Sequence, residues 1–424
     1  MKPWLDRLIR WYKALVTNIA FIPTVMGVAS LLFAIGLLYL ETLGYADWAK
    51  EDIDFALVKG ADNARMILTT IIGGILSLTV FSFSMVMVVL NRASASLSPR
   101  VLPQLIAHKP HQIVLGFYMG TIVYTLILVI NIGKKAGIPS FSILMAMIMA
   151  IGSLGLFIYF IHSISQSIQV SNILKSIYND TKGVIEQMKK SHSSTKLNTD
   201  QFEECLVADK PGYYHFIPGD NLLKCLAKNN QKLMICVYQS QFVTAGAPLL
   251  KVSGGKDELK DEWLQASMDY AEIPYGNGKF ISGFVQMSEI GVKALSPGIN
   301  DPGTAIRALH VLGILFTTLF PYPTYYGRKY NFDDVVTLER QPDLEEILNE
   351  SVVPIRHCIN GERGVAMAML DTYDIIVNIA SNDDYPVLKR HLLAFMSEFS
   401  DQALNRLTLE EVTLRAKKLL VKVS

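Results

Sequence analysis

Asn63, Thr70, Ser77, Ser84, Asn91 and Ser98 recur at every seventh position of a segment that is otherwise largely Ile, Leu, Val, Phe and Met. Seven residues are nearly two turns of an α-helix, so these hydroxyls and amides form one slowly drifting stripe. At about 1.5 Å per residue, Thr70 to Asn91 covers about 31 Å, close to the thickness of a bilayer's hydrocarbon core. Polar side chains find few strong partners among acyl chains. Two roles fit. The 3.5-residue period and the neighbouring Gly73 and Gly74 suit hydrogen-bonded packing against another helix. Alternatively, several copies could turn the stripe toward a common axis and line a pathway for ions or small solutes with hydroxyls. The stripe contains no carboxylate, so neither a proton relay nor an acidic selectivity ring is written into it.

Just beyond the stripe stand Asn91 and Arg92, then Ser98, Pro99 and Arg100. The prolines Pro99 and Pro103 bend the chain there. Arg92, Ser98 and Arg100 then form either a snorkelling elbow or the inner mouth or gate of a pathway that attracts anions.

The densest motif lies far downstream, Ala294-Leu-Ser-Pro-Gly-Ile-Asn-Asp-Pro-Gly-Thr-Ala305. Its residue order predicts a turn feeding a helix, with Asp301 as N-cap and Pro302 at the first helical position. Ser296, Asn300, Asp301 and Thr304 are its chemistry-bearing side chains. They serve either a rigid turn or a ligand or subunit contact, and the Asp301 carboxylate makes that helix start less attractive to anions.

The remaining chemistry is sparse. The chain lacks a P-loop, HExxH, GxSxG or dinucleotide fingerprint, and no acid, base or nucleophile cluster argues for an enzyme. Cys205, Cys225, Cys236 and Cys358 have no metal-binding spacing and read as reduced, packed thiols. His108 and His111 lack acidic or Cys partners, and His162, with Gln166 and Gln169 on about the same face, reads as a packing residue. No cofactor or metal is expected. Lys and Arg number 39 against 38 Asp and Glu, so no basic field points to nucleic acid.

The elements that position these residues follow from composition. Of 424 residues 50% are hydrophobic and only 18% charged, against roughly a quarter charged in ordinary soluble domains. Long apolar runs at Ile19–Leu40, Met66–Leu90, Ile113–Ile132 and Ile138–Ile161 predict four membrane-spanning helices. The first run is too long for a cleaved signal and continues into an acidic loop. Gly116 and Gly120 in GxxxG spacing predict close helix contact in the third, and Gly152 and Gly155 punctuate the fourth. Lys2, Arg7, Arg10 and Lys13 precede the first run, acidic residues follow it, and Arg92, Arg100 and Lys109 follow the second. The positive-inside rule therefore places both termini in the cytoplasm, with Lys134 and Lys135 as a minor dissent.

Residues 1–172 thus form a four-helix transmembrane domain and 173–200 a helical extension and linker. A cytosolic α+β domain occupies 201–320, with a helix capped by Asp220 and strands at Leu233–Val237 and Leu249–Val252. Within it, Gln241–Leu249 resembles the turn of a lipoyl-type β-sandwich in shape alone. Residues 321–424 read as mainly helical, with amphipathic segments at Val365–Ala380, Val387–Ser400 and Leu409–Val421.

Phe83-Ser84, Ala93-Ser94, Ser98-Pro99-Arg100, Gly246, Pro248-Leu249 and Ala294–Ala305 together resemble a widespread family of predicted bacterial inner-membrane proteins classed as a domain of unknown function. That resemblance implies a four-span membrane region plus a cytosolic domain, and no settled activity. The resulting expectation is a homo-oligomeric, channel-like protein of the bacterial inner membrane, with Thr70, Ser77, Ser84 and Asn91 lining the pathway. The alternative is a membrane-anchored sensor or scaffold whose cytosolic domain binds a partner or small ligand.

Overall fold

The computed structural model describes residues 20–43, 58, 60–96, 109–132, 138–167, 169–191, 201–238, 241–255, 259–272, 280–321, 325–329, 336–402 and 405–423. The charged segments 1–19, 44–57, 97–108 and 133–137, from which orientation was inferred, lie outside these residues, as do Ser98, Arg100 and the side chain of Arg92. The chain divides into two compact units, Met1–Ile173 and Leu174–Ser424.

The first unit contains α1 (Phe21–Thr42), α2 (Ala61–Ser96), α3 (Lys109–Asn131) and α4 (Ser140–Ser167). All four are long and apolar enough to cross a membrane. Helix α3 is the hub, packing on α1, α2 and α4. The GxxxG pair makes its approach to α1 possible. A Cβ on Gly116 would lie 3.2 Å from the Pro23 Cα, and one on Gly120 would overlap the Ser30 hydroxyl. Leu68, Tyr124, Leu128 and Ile143 fill one core layer, and Ile75, Tyr118, Phe160 and Ile164 another. Outward from these layers, Leu32, Val80, Ile130, Ile151 and Ile158 are exposed. In water such a belt would be costly, whereas in a bilayer it is the surface that contacts lipid.

The second unit begins within α5 (Val170–Ser191), an amphipathic helix that buries Leu174, Ile177, Thr181 and Ile185. Strands β1 (Phe202–Val207) and β2 (Gly212–Phe216) lead to α6 (Asp220–Lys228). The N-cap of α6 is Gly219, one residue before the expected Asp220, whose carboxylate sits in the first turn and favours the helix through its dipole. Then come β3 (Leu233–Ile235), β4 (Phe242–Val243), β5 (Pro248–Ser253), α7 (Asp261–Ala266) and β6 (Met268–Ala271).

Helices α8 (Phe280–Ala294) and α9 (Pro302–Leu319) form the centre of a helical layer. The chain past Pro321, expected to be mainly helical, first supplies β7 (Tyr325–Lys329) and β8 (Val336–Arg340). These short strands have no helical period to set them apart from the surrounding loops. They close a five-stranded sheet of order β1-β5-β3-β8-β7, in which β8 pairs parallel with β3 and the other pairs are antiparallel. A second sheet has the order β4-β2-β6. Cys205, Tyr214, Ile235, Val243 and Leu250 from both sheets share one core with Leu222 and Leu226 of α6.

The chain ends in α10 (Leu344–Ser351), α11 (Val353–Arg356), α12 (Arg363–Ile379), α13 (Tyr385–Gln402) and α14 (Arg406–Lys422). Among the described residues α9 is a fifth helix long and apolar enough to span a membrane. Its apolar side, Ala305, Ala308, Leu309, Leu312 and Phe316, is fully buried, and it packs on α8 and α12. The apolar sequence of α9 therefore serves a protein core. Gly313 permits that contact, because a Cβ there would lie 2.9 Å from Ile375 of α12.

Candidate functional site

The polar stripe lies on the side of α2 that the described residues of its own chain leave exposed. Ala64, Leu68, Ile75 and Ser82 are the buried positions of the helix, whereas Asn63, Thr70, Ser77, Ser84 and Asn91 are all exposed. A Cβ added at Gly73 or Gly74 would meet no atom within 4 Å. Among the described residues, therefore, Thr70, Ser77, Ser84 and Asn91 are not on the packing face of the protomer.

Its hydroxyls are satisfied locally. Thr70 donates to the Met66 carbonyl at 2.7 Å, Ser77 to Gly73 at 2.9 Å, and Ser84 to Val80 at 2.9 Å. Such i−4 bonds remove most of the cost of holding a hydroxyl in an apolar medium and leave an oxygen lone pair facing outward. Between the polar positions lie Met66, Gly73, Val80 and Met87, so the bare face alternates polar or small residues with apolar ones at the 3.5-residue spacing of helix-on-helix packing.

The downstream motif folds on itself. Ser296 donates its hydroxyl to the Lys293 carbonyl at 2.7 Å, and its own carbonyl accepts from the Ile299 and Asn300 amides at 3.0 Å each. Asn300 takes the left-handed conformation, φ 47°, that lets the chain reverse. Asp301 caps α9, accepting from the Thr304 amide at 3.1 Å and its hydroxyl at 2.6 Å, with Pro302 in the first turn. The Thr304 bonds hold the Asp301 carboxyl below its ordinary range, more than offsetting partial burial. The polar groups that could have met a ligand are thus largely used by the turn itself, leaving Pro297, Gly298 and Ile299 at its exposed tip.

Other expected residues are dispersed. His162, Gln166 and Gln169 are exposed at the end of α4, and the Gln166 carbonyl accepts from Asn172 at 2.8 Å. His111 is buried, 3.3 Å from the Ser163 hydroxyl and edge-on to Phe160. All four cysteines are free thiols, and burial pushes Cys236 up to about 11 and Cys358 upward, which suppresses thiolate chemistry.

Two polar clusters have no signature in the sequence. Glu41 at the end of α1 reaches the start of α4 across a separation of about a hundred residues. In the second unit Arg356 is buried and donates from Nε and Nη2 to Glu398, both at 2.9 Å. Among the described residues, Tyr373 OH, His391 Nδ1 and Arg356 Nη1 are buried there without a hydrogen bond of standard geometry, with Tyr373 lying against the Arg356 guanidinium. Burial, then the Arg356 charge, holds His391 below its ordinary range, and burial pushes Tyr373 up to about 12.

These features define a membrane protein with several apolar helices, followed by an α+β region built on small sheets. The chain belongs to the family described as "Predicted membrane protein (DUF2254)", which it matches over residues 17–374. It is 26% identical over 273 residues to Uncharacterized protein Mb1321c of Mycobacterium bovis and, to the same extent, to Uncharacterized protein Rv1290c of Mycobacterium tuberculosis. Each alignment covers 61% of this chain and 51% of the relative, so the chain spans about half the length of the curated relatives it matches. No solved structure matches it.

Proposed function

We propose that this is a non-enzymatic, homo-oligomeric, channel-like protein of the bacterial inner membrane, in which copies of α2 turn Thr70, Ser77, Ser84 and Asn91 toward a shared ion or small-solute pathway. One observation carries the reading: the polar stripe is long enough to cross the bilayer and, among the described residues, is exposed rather than packed within its own protomer. Four helices enclose too little space for a pathway within one chain, so oligomerisation is a necessary condition. In this reading α1 to α4 span the membrane, α9 stays in the second unit, and both termini and that unit are cytoplasmic. The unit would assemble or gate the pathway, with Arg92, Ser98 and Arg100 at its inner mouth.

The test is ion flux through purified protein in liposomes, comparing wild type with Ser77→Trp, Ser84→Trp and the control Leu76→Trp. Leu76 is also exposed, about 100° around the helix from Ser77. Flux lost in the two stripe variants and kept in the control is the expected result. Flux absent from all proteins under varied voltage, pH and tension removes conduction.

A second reading, a membrane-anchored sensor or scaffold, draws on the exposed tip Pro297–Ile299, which is held rigidly by its own turn. It predicts no flux and retention of partner binding in the absence of any pathway.

A further inference from the structure

Helix α14 has two apolar faces. Val412, Ala416 and Leu419, followed by Val423, are buried on its inner side, where it packs against α12 and α13. On the opposite side Leu407, Leu414 and Val421 stand in line at seven-residue spacing, 79%, 58% and 78% exposed. Single exposed leucines are ordinary, but three aligned on one helix form a seam.

The charges beside this seam are ordered. At about 100° per residue Glu410 and Lys417 lie along one side of it, and Glu411 and Lys418 along the other. On both sides the acid within a turn of Leu414 precedes it and the exposed base within a turn follows it, while Arg406, farther out on the first side, pairs with Glu410 at 2.8 Å along the helix. Arg415 and Lys422 are turned inward to Asp371 and Asp374 of α12, and Glu411 also receives Arg363. Lys417 and Lys418 are exposed.

We propose that α14 pairs with α14 of a second copy of this chain, antiparallel about a two-fold axis at Leu414. In that arrangement Leu414 meets its own counterpart, Leu407 meets Val421, Glu410 faces Lys417, and Glu411 faces Lys418. A parallel pair would set Glu410 against Glu411 and Lys417 against Lys418, so the charge order selects the antiparallel one. A helix of 17 residues is about 25 Å long, and a pair of that size covers less than the roughly 1,200 Å² of a standard interface. The contact therefore acts between chains already confined to one membrane, where effective concentration is high. It rests on the homo-oligomer half of the proposed function and is independent of conduction. An isologous contact of this kind makes the number of chains even.

The test is disulfide trapping of the full chain in its membrane, with Cys205, Cys225, Cys236 and Cys358 replaced by alanine. Leu414→Cys is expected to give a dimer on mild oxidation, while Leu407→Cys and Val421→Cys give dimer only when the two chains are co-expressed. Leu393→Cys on α13, 50% exposed, is the control that stays monomeric. Lys417→Glu should lower the Leu414→Cys dimer about tenfold, and Glu410→Lys added to it should restore the dimer. Leu414→Cys that stays monomeric, Leu407→Cys that dimerises alone, or trapping of a different protein overturns the proposal. Ser77→Cys in α2 is read in the same membranes. A dimer there and none at Leu414 rejects the α14 contact alone, and none at either position rejects the homo-oligomer itself.

Discussion

Ser142 donates both its backbone amide, at 3.2 Å, and its hydroxyl, at 2.7 Å, to Glu41, whose other oxygen accepts the Phe141 amide at 3.1 Å. One carboxylate from the end of α1 thereby caps the first turn of α4 and complements its dipole. Tyr124 of α3 donates to the Ser142 carbonyl at 2.9 Å, so three helices meet at this point.

Glu41→Ala leaves two helix-start amides and the Ser142 hydroxyl without their acceptor. The expected cost is about 1–2 kcal/mol, with a smaller loss for Glu41→Gln. Thermal unfolding in detergent, followed by circular dichroism, measures it. An unchanged transition in Glu41→Ala shows that water takes over the cap.

If the α2 stripe meets water, cysteines placed on it should react with a membrane-impermeant thiol reagent. Ser77→Cys and Ser84→Cys are expected to be modified at least tenfold faster than Leu76→Cys, which faces lipid in that reading. Equal protection of all three places the stripe in a dry helix contact or in lipid, and would falsify the pathway.

Buried Arg356 and half-buried Glu398 form a bidentate pair, so removing one partner strands the other. Arg356→Met is expected to cost about 1–3 kcal/mol, and Arg356→Met with Glu398→Gln to recover part of that loss. Denaturant unfolding of the full chain reads both, and a double variant no better than the single one contradicts the pairing argument.

His391 beside that pair sets a pH dependence. Burial holds its folded pKa below the ordinary histidine value of about 6.5, so below that pH the unfolded chain binds a proton that the folded chain refuses. Its contribution is complete above about pH 6.5 and is lost as pH falls from there toward the folded value. His391→Gln should flatten the fall in melting temperature between about pH 7 and pH 5. A slope identical to wild type assigns that fall to other groups.

Thr181 of α5 sits where a side chain at Gly283 of α8 would have to go, and its hydroxyl donates to the Ile177 carbonyl at 2.6 Å. Gly283→Ala is expected to cost about 1–3 kcal/mol through this overlap, beyond any gain in helix propensity. Thr181→Ala in the same chain removes two of the clashing atoms and should return part of the loss. A double-mutant cycle with zero coupling would show that the two helices simply separate.

The sequence by itself determined the features that depend on local period and composition. Four long apolar runs, the polar stripe at every seventh residue and the Asp301-Pro302 helix start are each visible within a few turns of chain, because helix geometry converts spacing directly into a face or a cap. Tertiary structure decided which way those faces point. The phase of α2 that packs on α3 and α4 leaves Thr70, Ser77 and Ser84 bare, an outcome set by the competing apolar positions Leu68 and Ile75 once they had neighbours to bury against. It also made α9, apolar enough to span a membrane, the core of a helical layer, since that depended on α8 and α12 being present to cover it. Glu41 with Ser142 and Arg356 with Glu398 came from folding alone. Polar side chains separated by 101 and 42 residues share no local pattern, and only chain closure brings them within hydrogen-bond distance.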